Sequence, residues 1–392
     1  MRRIIYLKRR VVLGLVFVTV LTIGERLPVF ASENSYEKDV NEVSENLIND
    51  FNFDEIDDSL AKIFPEEKLN FKEVVMQMIS GDLKLTAALF NRLIKEQIGY
   101  AFISCRENLI HMLLLALMAA LFTNFSKVFQ NKQISEMSFY VLYLMMIALA
   151  INSFQIVIDW VSDGVNTISG FMSVFCPIYF VAVSVAKGSV TAVAFYNLVL
   201  FLIYLVELIV SKFLIPVIHV YIMVRVLNHL SEEDYLSKFA ELLEIAVSWI
   251  LKTFVAGIVG INLVQGLINP AIDTVKRSAI TRGAEAIPGI GDALGGTAEV
   301  VAGTAVLIKN GIGMAGTVLC FALCIVPLVQ VALIVLMYKL SAAVIQPISD
   351  KRVIGCLESV SEGCRLLLRT VFTVGLLFLL TIVIVATLTN TV

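Results

Sequence analysis

The sequence predicts an all-α polytopic membrane protein. It should have seven or eight transmembrane helices, some broken by proline or glycine or re-entering the bilayer. A signal peptide and an acidic, helical extracytoplasmic segment should precede them. Three observations predict this. Of 392 residues, 58% are hydrophobic and 16% charged, whereas soluble domains run near half apolar and a quarter charged. The mean hydropathy of +0.86 leaves too little polar surface for a water-soluble globule, and it excludes a disordered or fibrous chain. The charge is also partitioned: residues 1–31 are basic, 32–108 are acidic, and the rest balances. No clustered positive charge of the kind nucleic acid requires is present.

The leader (1–31) carries Arg2, Arg3, Lys8, Arg9 and Arg10 ahead of the apolar run Val11–Ile23. That run is too short for the roughly 20 residues that span a bilayer. Val29, Phe30 and Ala31 supply suitable residues for cleavage, completing the three parts of a secretory signal peptide. Removal after Ala31 would leave the mature N-terminus extracytoplasmic. Residues 32–68 are strongly acidic and poor in large apolar residues, so flexibility is expected there. Within 69–108, Asn70 followed by Glu73 reads as a helix start, and Phe71, Val74, Val75 and Met78 then recur at helical spacing. A second amphipathic stretch carries Leu85, Leu89, Leu93 and Ile94. This region would either dock a partner or fold against the protein's own membrane body.

The polytopic domain (109–392) offers candidate spans at Leu109–Phe125, Phe139–Ile158, Phe171–Ala186, Val190–Val210, Phe213–Leu227, Ile245–Leu267, Ile312–Met337 and Val371–Leu388. Pro177, Pro216 and Pro327 interrupt three of them and predict irregular backbone. The positive-inside bias places Lys127, Lys132, Lys187, Arg225 and the 338–370 segment inside, and a loop at 159–170 outside. Residues 268–311 resist this scheme, because they carry Lys276, Arg277, Arg282 and Lys309. Residues 231–244 read as a surface helix capped by Ser231.

Little catalytic chemistry is indicated. His111, His219 and His229 form no metal-ligand pair. The six cysteines contain no C-x-x-C, and neither a phosphate-binding loop nor a nucleophile elbow occurs. Neither cofactor nor metal is expected, and the chain reads as non-enzymatic. Gly289-Ile290-Gly291-Asp292 matches the G-x-G-D of intramembrane aspartyl proteases, whose chemistry needs a second carboxylate. Asp159 and Glu207 are the nearest candidates, but the motif follows Pro288 in a polar loop, which disfavours a protease.

Two features remain as candidate functional or packing positions. Glu207 lies deep in an apolar run, where a carboxylate must be paired, neutral or facing water; it is either an ion site or a structural hydrogen bond. The segment 283–316 is rich in glycine, including Gly289, Gly291, Gly295, Gly296, Gly311 and Gly313 beside Pro288, Asp292, Lys309 and Asn310. It would either line a passage, as interrupted helices do in transporters, or pack helices closely.

Ala286-Ile287-Pro288-Gly289-Ile290-Gly291-Asp292, continuing to Leu307-Ile308-Lys309-Asn310-Gly311-Ile312-Gly313, resembles the stage III sporulation protein AE family of endospore-forming bacteria. The leader, the acidic segment and the polytopic body resemble that family over nearly the whole chain. The resemblance implies a subunit of the secretion-like channel complex between mother cell and forespore, needed after engulfment and housed in the mother-cell membrane around the forespore. Its implied partners are the other stage III sporulation A proteins, including a separate ATPase and ring-forming proteins. It carries over no catalytic residue. The alternative is a free-standing secondary transporter acting through Glu207 and the glycine-rich segment.

Overall fold

Helix is the only regular structure among the described residues, as lipid requires of a chain without a closed barrel. The computed structural model describes residues 48, 51–63 and 70–80, stretches of 92–121, then 132–187, 191–230, 234–284 and 291–388. Of 132–136, 138, 187, 191–196, 261–302, 384, 387 and 388 it describes the backbone alone. The predicted signal peptide, Ser231, Pro288 and Gly289 lie outside the described residues.

Two short amphipathic helices come first, α1 (Asp54–Ile63) and α2 (Phe71–Ser80). α1 falls in the segment expected to be flexible. Asp54, Glu55 and Asp57 occupy its first turn, where the helix dipole favours them, while Ile56 and Leu60, one turn apart, are fully buried. α2 begins as its sequence predicts: the Glu73 amide donates to Asn70 Oδ1 at 3.2 Å. The Phe71 amide donates to Asp57 Oδ1 at 2.6 Å, which ties the second helix to the first.

The body contains α3 (Lys132–Lys187), α4 (Thr191–Ile209), a π-helical turn (Val210–Leu214), α5 (Ile215–Asn228), α6 (Ser237–Ala284), α7 (Gly291–Ile345) and α8 (Lys351–Leu388). Among the described residues, five helical stretches are long and apolar enough to cross a membrane: Phe139–Ala186, Asn197–Asn228, Ser237–Gly260, Gly303–Ile345 and Lys351–Val383. Two pairs of predicted spans are therefore fused. The expected loop 159–170 is helical, because Val161, Val165 and Ile168 continue the buried stripe of α3 without a break. Lys132 and Lys187, both assigned to the inner side by charge, stand at opposite ends of one helix. Likewise 237–244 is the first part of α6 rather than a separate surface helix. Asn228 Nδ2 and Ser237 Oγ both donate to Asp234 beside that start, and they hold its carboxyl below the usual carboxylate range.

The prolines act differently from one another. α3 and α7 run through Pro177 and Pro327. Pro216 follows the π turn, in which the Ile215 amide donates to the Val210 carbonyl. Pro216 has no N–H for the Lys212 carbonyl and its ring would crowd that group, so a widened turn relieves both problems.

Packing fixes the helix directions. Tyr143 Oη donates to the Val226 carbonyl at 3.2 Å, and Phe154 lies 6.2 Å from His219 between ring centroids, so α3 and α5 are antiparallel. Gly164 meets Pro327 and Gly313 meets Tyr179, so α3 and α7 are antiparallel too. α8 turns back along α7, where Ser361 Oγ donates to the Val335 carbonyl at 3.2 Å and Gly375 faces Cys324. α8 carries buried hydroxyls, but Ser359, Thr370 and Thr381 donate to carbonyls four residues back in their own helix.

Candidate functional site

The centre of the glycine-rich half of α7 is a seat for aromatic rings. Gly313 and Gly316 are three residues apart, so both face α3. A methyl group at Gly313 would stand 2.9 Å from the Tyr179 hydroxyl oxygen, and one at Gly316 would fall within the Phe175 ring. Gly311 looks to another neighbour, α2, where a methyl would lie 2.6 Å from Ile79 Cγ1 and 3.4 Å from Val75 Cγ1. A larger residue at any of the three would require its neighbour's side chain to shift.

The rings filling the seat form a column. Phe53 and Phe71 are 5.3 Å apart, Phe71 and Phe175 6.2 Å, and Phe175 and Tyr179 5.4 Å between centroids. Offset and edge-on pairs at such separations add to the burial of the rings. The column runs from the residues before α1, through the first residue of α2, into α3. The apolar face of α2, with Phe71, Val74, Val75 and Met78 buried, is therefore spent on the protein's own membrane body.

Polar groups are buried beside these rings. Lys309, one turn before Gly313, is fully buried. Asn310 Oδ1 and Tyr179 Oη are buried with no hydrogen-bond partner among the described residues, while Thr317 Oγ1 donates to the Gly313 carbonyl at 2.7 Å. Gly303, by contrast, has open space where a side chain would begin. Gly291, Asp292, Gly295 and Gly296 form the first turns of α7, and only their backbone is described. Glu207 is part-exposed near the end of α4 and is not brought to the seat. Asp159 is exposed and accepts from Gln155 at 2.8 Å. It lies near the Gly164–Pro327 contact, and 35 residues of continuous helix, about 50 Å, separate Pro327 from Asp292. The two carboxylates of the protease reading are thus not paired.

A second polar cluster escaped sequence reasoning. At the end of the bundle where α5 stops and α8 starts, Arg225 forms an ion pair with Glu362. Tyr221 Oη donates to the same carboxylate oxygen at 3.5 Å. Arg352 covers the Phe139 ring at 3.8 Å. His229 sits against Gly355, whose missing methyl would meet Nδ1 at 2.6 Å. Burial, and then the Arg225 cation, hold His229 below its ordinary pKa. The signal in the sequence was an arginine near the end of an apolar run, but its partner lies 137 residues away.

Among the described residues, no three His, Cys, Asp or Glu side chains converge as a metal site. The five described cysteines are buried, and none forms a disulfide among the described residues. What the arrangement does is mechanical: it locks a pre-membrane helix to two long apolar ones.

The fold and the seat define a multi-span helical membrane protein built by close glycine contacts. The family model described as stage III sporulation protein AE matches residues 69–389, and the chain belongs to that family. It is 23% identical over 329 residues to the stage III sporulation protein AE of Bacillus subtilis (strain 168), covering 84% of this chain and 82% of that one. No solved structure matches the chain significantly.

Proposed function

We propose that the protein is a non-enzymatic, multi-span subunit of the channel complex between mother cell and forespore. It would sit in the mother-cell membrane with its mature N-terminus outside, and serve development after engulfment. Family membership carries this reading. The seat supports it, since α1 and α2 are anchored to the membrane helices by rings and glycines and so form a rigid base at the surface where other sporulation proteins would assemble. The separate ATPase of that complex would supply energy. A strain lacking the protein should complete engulfment yet fail in later forespore gene expression, and should lose co-recovery of the other complex members after mild solubilisation. Full sporulation efficiency in that strain would refute the role. Solute uptake by the purified protein alone in liposomes would favour the free-standing transporter.

A further inference from the structure

The outer faces of α3 and of the α4–α5 rod carry opposite charges at one height in the bundle. On α3 the face turned away from the core begins apolar, with Val141, Leu144 and Met145 exposed. From there it becomes a polar ladder: Asn152, Gln155, Asp159, Asp163 and Asn166, all exposed at steps of three and four residues. On the α4–α5 rod the outward row is apolar, with Phe201, Tyr204, Leu208, Val220 and Leu227 exposed. One cation, Lys212, stands exposed in the middle of that row, in the π turn.

The heights follow from the contact between Phe154 and His219. Asp159 lies five residues beyond Phe154, Asp163 nine, and Lys212 seven residues beyond His219 in the matching direction. At 1.5 Å per residue these are roughly 7.5, 13.5 and 10 Å, so Lys212 falls between the two aspartates. Phe213 and Ile209 share an apolar groove with Trp249, Ile250, Thr253 and Phe254 of α6. That groove brings a second exposed cation, Lys252, to the same level. Among the described residues, none of these four charges forms an ion pair within the chain. Charges level with an apolar, lipid-facing row are costly unless they meet a partner or water.

We infer that a second copy of this chain sits on that face, with the Asp159/Asp163 ladder of one copy against Lys212 and Lys252 of the next. Two carboxylates match two ammonium groups, and copies inserted in the same orientation present both pairs at equal depth without sliding. Trp249, 69% exposed, and Phe213 supply the apolar remainder of the contact. Each copy offers its acidic face to one neighbour and its basic face to another, a head-to-tail contact that generates a ring where the rotation closes. Such charge matching sets register and excludes wrong neighbours. This contact stands independently of the proposed sporulation role.

Disulfide trapping between two differently tagged full-length chains, co-expressed in native membranes, tests it. A Cys105→Ser background is used, the other cysteines being buried. With Asp163→Cys in one chain and Lys212→Cys in the other, oxidation should join the two tags, and each single-cysteine chain should give at least tenfold less self-product. Reversing either face, Asp159→Lys with Asp163→Lys or Lys212→Asp with Lys252→Asp, should reduce co-recovery of the tags about tenfold. Reversing both faces in both tagged chains should restore it. Strong self-product from Asp163→Cys alone would mean a two-fold contact and overturn the proposal. So would capture of a different polypeptide without any inter-tag product, or absence of both products. A sporulation defect in an otherwise oligomeric protein would bear on the functional proposal alone.

Discussion

At Gly316 a single hydrogen in place of a side chain decides how closely α3 and α7 approach at Phe175. Gly316→Ala places a methyl in the Phe175 ring, and overpacking of this kind costs about 1–3 kcal/mol. The thermal unfolding midpoint in detergent should drop, and Phe175→Leu in the same chain should recover most of the loss. A second substitution without effect would mean that the helices separate rather than share that contact. His229 gives the residue scale a pH dependence. Its folded pKa lies below the ordinary 6.5 because burial and Arg225 outweigh Asp234, Glu358 and Glu362. Below about pH 6.5 the unfolded chain therefore binds more protons than the folded one, so this contribution is complete above that pH and is lost as pH falls. His229→Gln should flatten the acid-side part of the fall in midpoint measured between about pH 7.5 and 5.5.

Among the elements, α2 depends most on its surroundings. Ten residues are too few for a stable isolated helix in water, so its order comes from Asn70 and Asp57 at its start and from the column of rings beneath it. Asp57→Ala removes the acceptor of the Phe71 amide and should cost about 1 kcal/mol, as loss of a cap does. Hydrogen exchange at the first amides of α2 should quicken while the bundle stays protected. The π turn shows the opposite dependence: there the local covalent fact of Pro216 sets the geometry, and the bundle accommodates it.

For the molecule as a whole, the length of α3 changes the topology. Its 56 residues measure about 84 Å at 1.5 Å each, against a hydrocarbon layer of about 30 Å, so the helix crosses and projects well beyond. Single cysteines at Lys132 and Lys187 should react with an impermeant maleimide from opposite sides of the membrane; labelling from one side would restore the two-span hairpin. The long antiparallel helices around α8 also explain why glycine and small residues recur. Lipid provides no hydrophobic drive between apolar helices, so close contact must supply the attraction.

Composition alone determined that this chain lives in a membrane, because 58% hydrophobic residues cannot be hidden inside a soluble shape. The Asn70 start of α2, its apolar face and the glycine-rich character of 283–316 were legible from local spacing. The 286–313 motifs were legible as family marks. Hydropathy misjudged the 159–170 stretch because its charged residues, Asp159 and Asp163, lie on one exposed face, and a window average does not resolve faces. Which ring sits on which glycine, that Lys309 is buried, that Arg225 meets Glu362, and that Lys212 stands level with Asp159 and Asp163 were decided by the tertiary structure. These are contacts between residues tens to hundreds of positions apart, and only the packing of whole helices brings them to one height.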